Sequence, residues 1–239
     1  MGFDRFLCSP EPMTGRPHVL LSVAVSLDGC IDDVGRERLI LSNEADLDRV
    51  DEVRASVDAI LVGANTIRCD DPRLLVRSGA RRAARVALGR PPSPVKVTLT
   101  GTGKIAPESR FLTAGEGERI VYAPTSAAAE VRDRLRAGAT VVGAGDPLDV
   151  ATLLADLRRR GVRRLMVEGG SQVHTLFLAS GLVDELHVVF APFLVGQPGA
   201  PRFVNAAAFP QGPGNRMRLV ETRPIGDVVL LRYVPCPGA

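Results

Sequence analysis

Short apolar runs alternate with helical patterns from His18 onward, and this alternation limits the possible folds more than any other feature. The run at 58–63 (DAILVG) is apolar after its first residue, as expected of a strand buried on both faces. Similar runs predict further strands at 18–25, 95–100, 119–123, 139–143, 163–168 and 184–192. Strands that alternate with helices form a mostly parallel sheet with helices on both faces. We therefore predict a three-layer α/β fold that ends in an antiparallel hairpin over 217–234.

Apolar spacing, together with N-cap residues, proline and glycine, predicts the helices. A helical stripe indicates a helix over 43–57, and its apolar members are Leu47, Val50, Val53 and Val57. Two further helices are expected over 126–137 and 172–180. A fourth begins at Asp146 and Pro147, as N-cap and first turn, and ends at Gly161.

The remaining stretches predict loops and the domain boundary. Residues 78–94 are predicted as a loop whose four arginines are solvated. The first sixteen residues show no periodicity and predict a flexible tail. Since a domain takes roughly 150 residues, 17–239 is expected to be a single domain.

Composition excludes several classes of protein. With 45% hydrophobic and 24% charged residues, the chain is expected to be globular. The net charge is only +3, and the absence of Trp leaves no platform on which bases could stack, so a nucleic-acid partner is not expected. No apolar run approaches the roughly 20 residues that span a bilayer, so no membrane partner is expected. The first residues lack the apolar core of a signal peptide, which argues against secretion.

Cysteine and histidine spacing argues against disulfides and metals. The four cysteines are scattered and form no C-x-x-C pair, which is typical of reduced thiols in a cytoplasm. The three histidines, His18, His174 and His187, lie far apart and lack the spacing of metal ligands, so no metal is expected.

A glycine-rich turn follows one predicted strand. Glu168 and the residues GGSQ (169–172) lie between a strand and a helix, where glycines let backbone N–H groups approach a phosphate. Ligands bind beyond the carboxyl ends of strands in such sheets. The pattern is not the G-x-G-x-x-G fingerprint, so a simple tight turn remains an alternative.

Two other strand ends carry polar groups. The run 63–73 brings Thr66, Asp70 and Asp71 to the same sheet edge, although Asp70 can equally be an ordinary loop carboxylate. Asp71 precedes a proline and is expected to be extended. Asp28-Gly29 is expected to be a structural turn. With no Walker loop or G-x-S-x-G elbow, the residues predict a crevice that binds a nucleotide-like ligand.

Four blocks together resemble a known family. SLDG (26–29), the stretch 53–77, LMVEGGSQV (165–173) and the stretch 182–196 look like the riboflavin-biosynthesis pyrimidine reductases. The resemblance covers about 17–235 and implies the dihydrofolate-reductase-like fold. Bifunctional members also carry a deaminase half, whose H-x-E and P-C-x-x-C motifs this sequence lacks.

The resemblance implies an activity. Such enzymes use NADPH to reduce the ribosylamino side chain of a pyrimidine 5′-phosphate to a ribityl group. Whether the substrate is the 2,5-diamino pyrimidinone or its deaminated uracil form stays open. The resemblance also implies a homodimer, and the apolar stretch 184–196 supplies either its interface or an internal strand.

Site residues carry over from the resemblance position by position. The implied cofactor-binding residues are Ala24, Ile40, Thr66, Asp70, Gly169, Gly170, Ser171 and Gln172. The implied substrate-binding residues are Arg54, Leu74, Arg77 and Glu168. Asp70 and Glu168 are the implied catalytic groups, because opening a glycosylamine to an imine and reducing it requires proton transfer.

Some positions depart from the family pattern. Ser22 replaces a lysine or asparagine near the sugar, Gly101 replaces a serine, and Ser171-Gln172 replaces Gly-Thr or Pro-Thr. A related reductase of another pterin or pyrimidine is therefore an alternative, as is a non-catalytic nucleotide-binding relative. The latter is disfavoured because a protein that only binds would not need both Asp70 and Glu168.

Overall fold

A computed structural model describes residues 15–35 and 37–236, which form one nine-stranded sheet with helices on both faces. The strands are β1 (His18–Val25), β2 (Ala59–Gly63), β3 (Val95–Leu99), β4 (Arg119–Ala123), β5 (Thr140–Gly143), β6 (Arg164–Gly169), β7 (Glu185–Phe190), β8 (Arg218–Ile225) and β9 (Val228–Val234). The helices are α1 (Glu44–Ser56), α2 (Ala64–Asp70), α3 (Gly79–Ala87), α4 (Arg110–Thr113), α5 (Ala128–Leu135), α6 (Val150–Arg159) and α7 (Ser171–Ala179).

The strand order is β5-β4-β3-β2-β6-β1-β7-β9-β8. The first seven strands run parallel, whereas β9 and β8 are antiparallel to their neighbours. The predicted α/β class, the parallel sheet and the C-terminal hairpin are therefore confirmed. The most central strands are β2, β6 and β1, and their carboxyl ends lie side by side at one edge.

The sheet separates two apolar layers. One core lies under α6 and α7 and includes Leu153, Leu157 and Phe177. The other lies under α1, α2 and α5 and includes Ile67 and Val131. Burial of both faces explains why the central strands are almost continuously apolar.

Helix α1 lies near its predicted place but turns a different face inward. Asn43 is the N-cap and accepts a hydrogen bond from the N–H of Asp46. The buried residues of the helix are charged, whereas the stripe residues Leu47, Val50 and Val53 are only partly buried. The last residue of the predicted stripe, Val57, is fully buried but lies just past the end of the helix. Arg49 Nε donates to Asp46 Oδ1 over 2.7 Å, and Asp51 accepts from the N–H groups of Arg77 and Ser78. Buried charges with such partners pack as well as apolar side chains, which hydrophobic periodicity does not detect.

The prediction that 78–94 is a loop is wrong, because this stretch contains α3, with Ser78 as its N-cap. Its arginines are not simply solvated. Arg85 is buried and donates to the carbonyl oxygens of Ala55, Val57 and Pro91, so it caps the end of α1. Two others form ion pairs across the same surface. Its alanines have helical spacing but lie on the exposed face, and the buried side chain is Arg85, so polar contacts hold this helix in place.

The predicted start of α6 is also wrong. The helix begins at Val150, and its N-cap is Asp149, whose carboxylate accepts from the N–H of Thr152 over 2.7 Å. Asp146 instead accepts from Ser126, so it ties together two loops. Both aspartates suit an N-cap by sequence, and only the chain direction at 144–149 decides between them.

The predicted flexible tail, 1–16, lies mostly outside the described residues, which begin at Gly15. Its last residue, Arg16, forms a bidentate ion pair with Asp184 over 2.6 and 2.7 Å. Asp184 also accepts from the N–H of Val19, so the pair holds the start of β1 against the start of β7.

Candidate active site

Most predicted site residues meet at the carboxyl edge of the three central strands. Ala24 lies near the end of β1, α2 follows β2 directly, and Glu168 and Gly169 end β6. Since these strands are neighbours, the segments after them line one crevice, as the rule for parallel sheets predicts.

The glycine turn and α2 face each other closely. A Cβ atom on Gly170 would lie 3.1 Å from Thr66 Oγ1. Helix α7 begins at the next residue, and no side chain caps its N-terminus. Its free N–H groups and positive dipole end lie beside this close contact, and such an uncapped N-terminus suits the phosphates of a dinucleotide. Ser171 and Gln172, in the first turn of α7, are partly buried and exposed, respectively.

Glu168 and Arg54 form a tight ion pair. Arg54 in the last turn of α1 donates from Nε and Nη2 to both carboxylate oxygens over 2.7 and 2.5 Å, and both side chains are mostly buried. Burial alone would lower the pKa of Arg54, but Glu168 outweighs it and raises that pKa. The register shifts between Leu61 and Val62 of β2, opposite Val167 and Gly169, so Glu168 belongs to a bulge that turns it toward α1.

Asp70 is the second carboxylate of the crevice. It ends α2 and is partly buried, and Arg38 Nε lies 3.7 Å from its Oδ2. Burial raises the pKa of Asp70, and the nearby Asp32 adds to this rise while Arg38 opposes it. A carboxyl group with a raised pKa at a crevice suits proton transfer.

The prediction for Asp71 is wrong. This residue is left-handed, with φ 41° and ψ 57°, and it ends α2 instead of continuing in an extended conformation. Its carboxylate accepts from the backbone N–H and Nε of Arg110. That contact offsets a conformation that is rare before proline.

The remaining predicted residues are more scattered. Leu74 is 1% exposed and lies in the core, so its side chain is closed to solvent. Arg77 is exposed and donates from Nη2 to the carbonyl oxygen of Leu47 over 2.6 Å. Ile40 is 76% exposed on the loop that also carries Arg38. Ala24 is partly buried at the end of β1.

Asp28 has the structural role that was predicted for its turn. Its carboxylate accepts from the hydroxyl of Ser26 and from the N–H groups of Val195 and Gly196. The Ser26 hydrogen bond, together with those N–H groups, lowers the pKa of Asp28. The turn after β1 is thereby fixed to the loop after β7.

Sequence reasoning missed two residues of this region. Arg38 contacts Asp70, but an arginine in an irregular loop belongs to no motif. His174 lies behind the glycine turn and is 1% exposed. The sequence indicated only that it lacks metal-ligand spacing. Ser22, where the family pattern has a larger side chain, is buried and pairs in register with His187 of β7.

The described residues contain neither a metal-binding cluster nor a membrane-spanning helix. Within 15–35 and 37–236, no group of three or more His, Cys, Asp or Glu side chains is placed to hold a metal ion. No helix in the same ranges is long and apolar enough to cross a membrane.

Comparison with known proteins gives consistent matches. The chain is 34% identical over 194 residues to the 2,5-diamino-6-ribosylamino-4(3H)-pyrimidinone 5′-phosphate reductase of Archaeoglobus fulgidus, covering 81% of this chain and 89% of that protein. It is 36% identical over 220 residues to the protein of the same name from Methanothermobacter thermautotrophicus, covering 91% and 98%.

A solved structure and a family description agree with these relatives. Acinetobacter baumannii RibD superposes with a TM-score of 0.76 at 26% identity, covering 94% of this chain. The chain spans only 59% of that RibD. The RibD C-terminal domain matches residues 17–231, nearly the whole chain. The dihydrofolate-reductase-like fold and the predicted relationship are therefore confirmed, and the chain belongs to the RibD C-terminal domain family.

Proposed function

We propose that this protein reduces the ribosylamino side chain of a pyrimidine 5′-phosphate to a ribityl group in riboflavin biosynthesis, with NADPH as the reductant. The observation that carries the proposal is the shared crevice. It combines the uncapped N-terminus of α7 beside Gly170 and Thr66, which suits a dinucleotide phosphate, with the carboxylates of Asp70 and Glu168. A protein that only bound nucleotides would need the first feature and not the second.

The chemistry assigns work to each carboxylate. The ribosylamine must open to an imine, whose carbon accepts a hydride while its nitrogen receives a proton. When bound, NADPH supplies the hydride. Asp70, with its raised pKa, holds and delivers the proton, and Glu168 stabilises the cationic imine while Arg54 holds Glu168 in place.

The phosphate end of the substrate is assigned to Arg77. Two donor nitrogens of Arg54 bind Glu168, so the main role of Arg54 is to orient that carboxylate. Arg77 keeps an exposed guanidinium on the segment between α2 and α3, beside Leu47 and Asp51 of α1. A planar guanidinium matches phosphate oxygens well.

The diamino pyrimidinone is the favoured substrate, because the two archaeal relatives are named for it. The deaminated uracil form is the alternative. A related reductase of another pterin or pyrimidine is a further alternative, which the small Ser22 beside His187 keeps open.

The protein is further proposed to be a cytoplasmic homodimer. The free cysteines, Cys30, Cys69 and Cys236, support a reducing compartment. Residues 185–190 of the stretch 184–196 form β7, which is paired on both sides, so they favour the internal-strand alternative. β8 is one of the two edge strands of the sheet, and its Leu219 and Val220 are exposed. This edge is the better interface, and a 25 kDa species in light scattering would contradict the dimer.

The function is tested by following NADPH oxidation with each pyrimidine phosphate. We expect turnover with the diamino form, and a ribityl product identified by mass spectrometry. The matched control is NADH at the same concentration. The double variant Asp70→Asn with Glu168→Gln is the control for chemistry, since it should bind NADPH without turnover. Binding of NADPH by the wild type without oxidation on either pyrimidine would contradict the proposed reaction.

A further inference from the structure

His174 presents an unpartnered acceptor to the glycine turn. The residue lies in the first turn of α7, and its Nε2 is buried without a hydrogen-bond partner. A Cβ atom on Gly169 would meet only this imidazole, at 3.6 Å from Nε2 and 3.7 Å from Cε1. The space that glycine leaves at this position is therefore bordered by the one ring edge that lacks a partner.

The other nitrogen fixes the tautomer. Nδ1 lies 3.2 Å from the carbonyl oxygen of Phe203, which can only accept, so Nδ1 carries the proton. Burial lowers the pKa of His174 to about 4, and the Phe203 carbonyl only partly opposes this. The nearest charged residues are turned elsewhere, Glu168 to Arg54 and Arg202 to the carbonyl oxygen of Asp28. At neutral pH, Nε2 is therefore unprotonated, and its lone pair has no hydrogen-bond donor.

The ring is held from both sides. Residues 201–205, here called the strap, lie along the first turn of α7. Ser171 Oγ donates to the Arg202 carbonyl oxygen, and the N–H of Asn205 donates to Thr175 Oγ1 over 2.8 Å. On its other side the strap pairs with the turn after β1, through the N–H of Phe203 to the Gly29 carbonyl oxygen over 3.0 Å. These contacts fix the direction of Nε2.

Native structures rarely leave a buried acceptor without a donor. Phosphate groups cannot supply a donor at neutral pH, whereas a ribose hydroxyl or a carboxamide N–H of a dinucleotide can. Glu168, which the proposed function places at the reacting carbon, directly precedes Gly169, so the half of the dinucleotide that faces this turn is the nicotinamide half. A donor from that half is the chemical complement of Nε2, whereas the phosphates complement the N–H groups of α7.

We infer that His174 is a further cofactor-binding residue, whose Nε2 accepts a hydrogen bond from a hydroxyl or amide donor on the nicotinamide half of the bound dinucleotide. The inference rests on the proposed function, because it places the dinucleotide on the glycine turn. His174 stays neutral and keeps its Nδ1–H on Phe203 throughout binding.

The test observes the ring directly. In protein labelled with ¹⁵N at histidine, the Nε2 resonance of His174 should move on addition of NADPH or of reduced nicotinamide mononucleotide. Adenosine 2′,5′-bisphosphate, which lacks the nicotinamide half, should leave it in place. His18 and His187, the only other histidines, serve as internal controls.

Substitutions at His174 distinguish the contribution of Nε2 to NADPH binding from that of Nδ1. His174→Asn keeps a donor for the Phe203 carbonyl but removes the Nε2 acceptor, so NADPH should bind about tenfold more weakly in calorimetry, as the loss of one hydrogen bond predicts. His174→Phe loses both the Nε2 acceptor and the hydrogen bond to the Phe203 carbonyl oxygen. The difference in NADPH affinity between His174→Phe and His174→Asn therefore gives the contribution of the Phe203 contact. Binding of adenosine 2′,5′-bisphosphate should be unchanged in His174→Asn.

Two results would overturn the inference while leaving the proposed function intact. One is NADPH binding in calorimetry with no change at Nε2. The other is protonation of Nε2 on binding, which would mean that a phosphate faces the ring. Failure of the wild type to bind any nicotinamide nucleotide would instead overturn the proposed function together with the inference.

Discussion

The two carboxylates of the crevice differ in their surroundings, and the difference sets their roles. Glu168 is held by Arg54 through two short hydrogen bonds, which fix its position. Asp70 has only a distant contact with Arg38, and burial raises its pKa. Two carboxyl groups in different environments at one site commonly take different roles, one in proton transfer and one in charge stabilisation.

We expect Asp70→Asn to lower kcat at least 10²-fold, within the range typical of acid–base groups, while NADPH binding changes little. In the wild type, kcat/KM should fall as the pH rises through the pKa of Asp70, because Asp70 then loses the proton that it delivers, and the fall should lie at a higher pH than for an unperturbed carboxylate. Stopped-flow kinetics and calorimetry measure both effects. A nearly full kcat in Asp70→Asn would transfer the acid–base role to Glu168 or to ordered water.

Arg77 is the residue on which phosphate recognition can be tested without disturbing an ion pair in the crevice. Removing its exposed guanidinium by Arg77→Ala should raise KM about tenfold for the phosphorylated substrate, since a charged hydrogen bond contributes about 1.5–3 kcal/mol. The dephosphorylated substrate should be nearly insensitive. Equal losses on the two substrates would assign Arg77 to a structural role beside Asp51.

At the scale of elements, the turn between β6 and α7 provides most of the features that the site needs. Gly169 has φ 143°, a conformation that L side chains rarely adopt, and Gly170 lies against Thr66. The bulge at Glu168 and the free start of α7 come from the same few residues. One short segment therefore positions a carboxylate, a phosphate cradle and the His174 ring.

Gly170→Val should abolish measurable NADPH binding while the protein stays folded. Even the Cβ atom of the valine would lie 3.1 Å from Thr66 Oγ1, so its side chain would press on Thr66 and cover the N–H groups of α7. Calorimetry gives the affinity, and circular dichroism with thermal unfolding checks the fold. The control is Gly214→Ala, at an exposed glycine with open space around it. Unchanged NADPH affinity in Gly170→Val would remove the phosphate-binding role from this turn.

Some elements of the fold and of the site were predicted from the sequence, and others were missed. The strand at 119–123 was predicted to the residue, because a buried strand requires a short apolar run. Helix α3 and the buried face of α1 were missed, because arginine and aspartate contacts hold them instead of an apolar stripe. The convergence of Asp70, Glu168 and the glycine turn followed from the parallel topology. The pairing of Glu168 with Arg54 depends on a one-residue bulge, which no local pattern signals.

At the scale of the whole molecule, buried histidines and a buried glutamate link stability to pH. Burial lowers the pKa of His18, His174 and His187, so each is neutral in the folded protein at a pH where the unfolded chain binds a proton. Glu185 adds to this at lower pH. Burial opposes its ionisation, but hydrogen bonds from His187 and Arg232 lower its pKa to about 2.

We therefore expect the free energy of unfolding to fall as the pH drops below 6.5. Where the unfolded state binds more protons than the folded state, stability decreases with falling pH. For His174 alone the loss between pH 6.5 and 4 is on the order of 3 kcal/mol. Glu185 contributes a further loss as the pH falls below about 4.5. Urea titrations at several pH values between 7.5 and 4 measure the slope.

The slope, and not the absolute stability, is the decisive quantity, since a core variant shifts stability at every pH. His174→Phe removes one titrating group, so its stability should depend less steeply on pH between 6.5 and 4 than that of the wild type. Arg134→Gln is a matched control, because this exposed residue pairs only with Glu130 and a backbone carbonyl and should leave the slope unchanged. Equal slopes for wild type and His174→Phe would mean that the imidazole is protonated in the folded protein, which contradicts the bare Nε2.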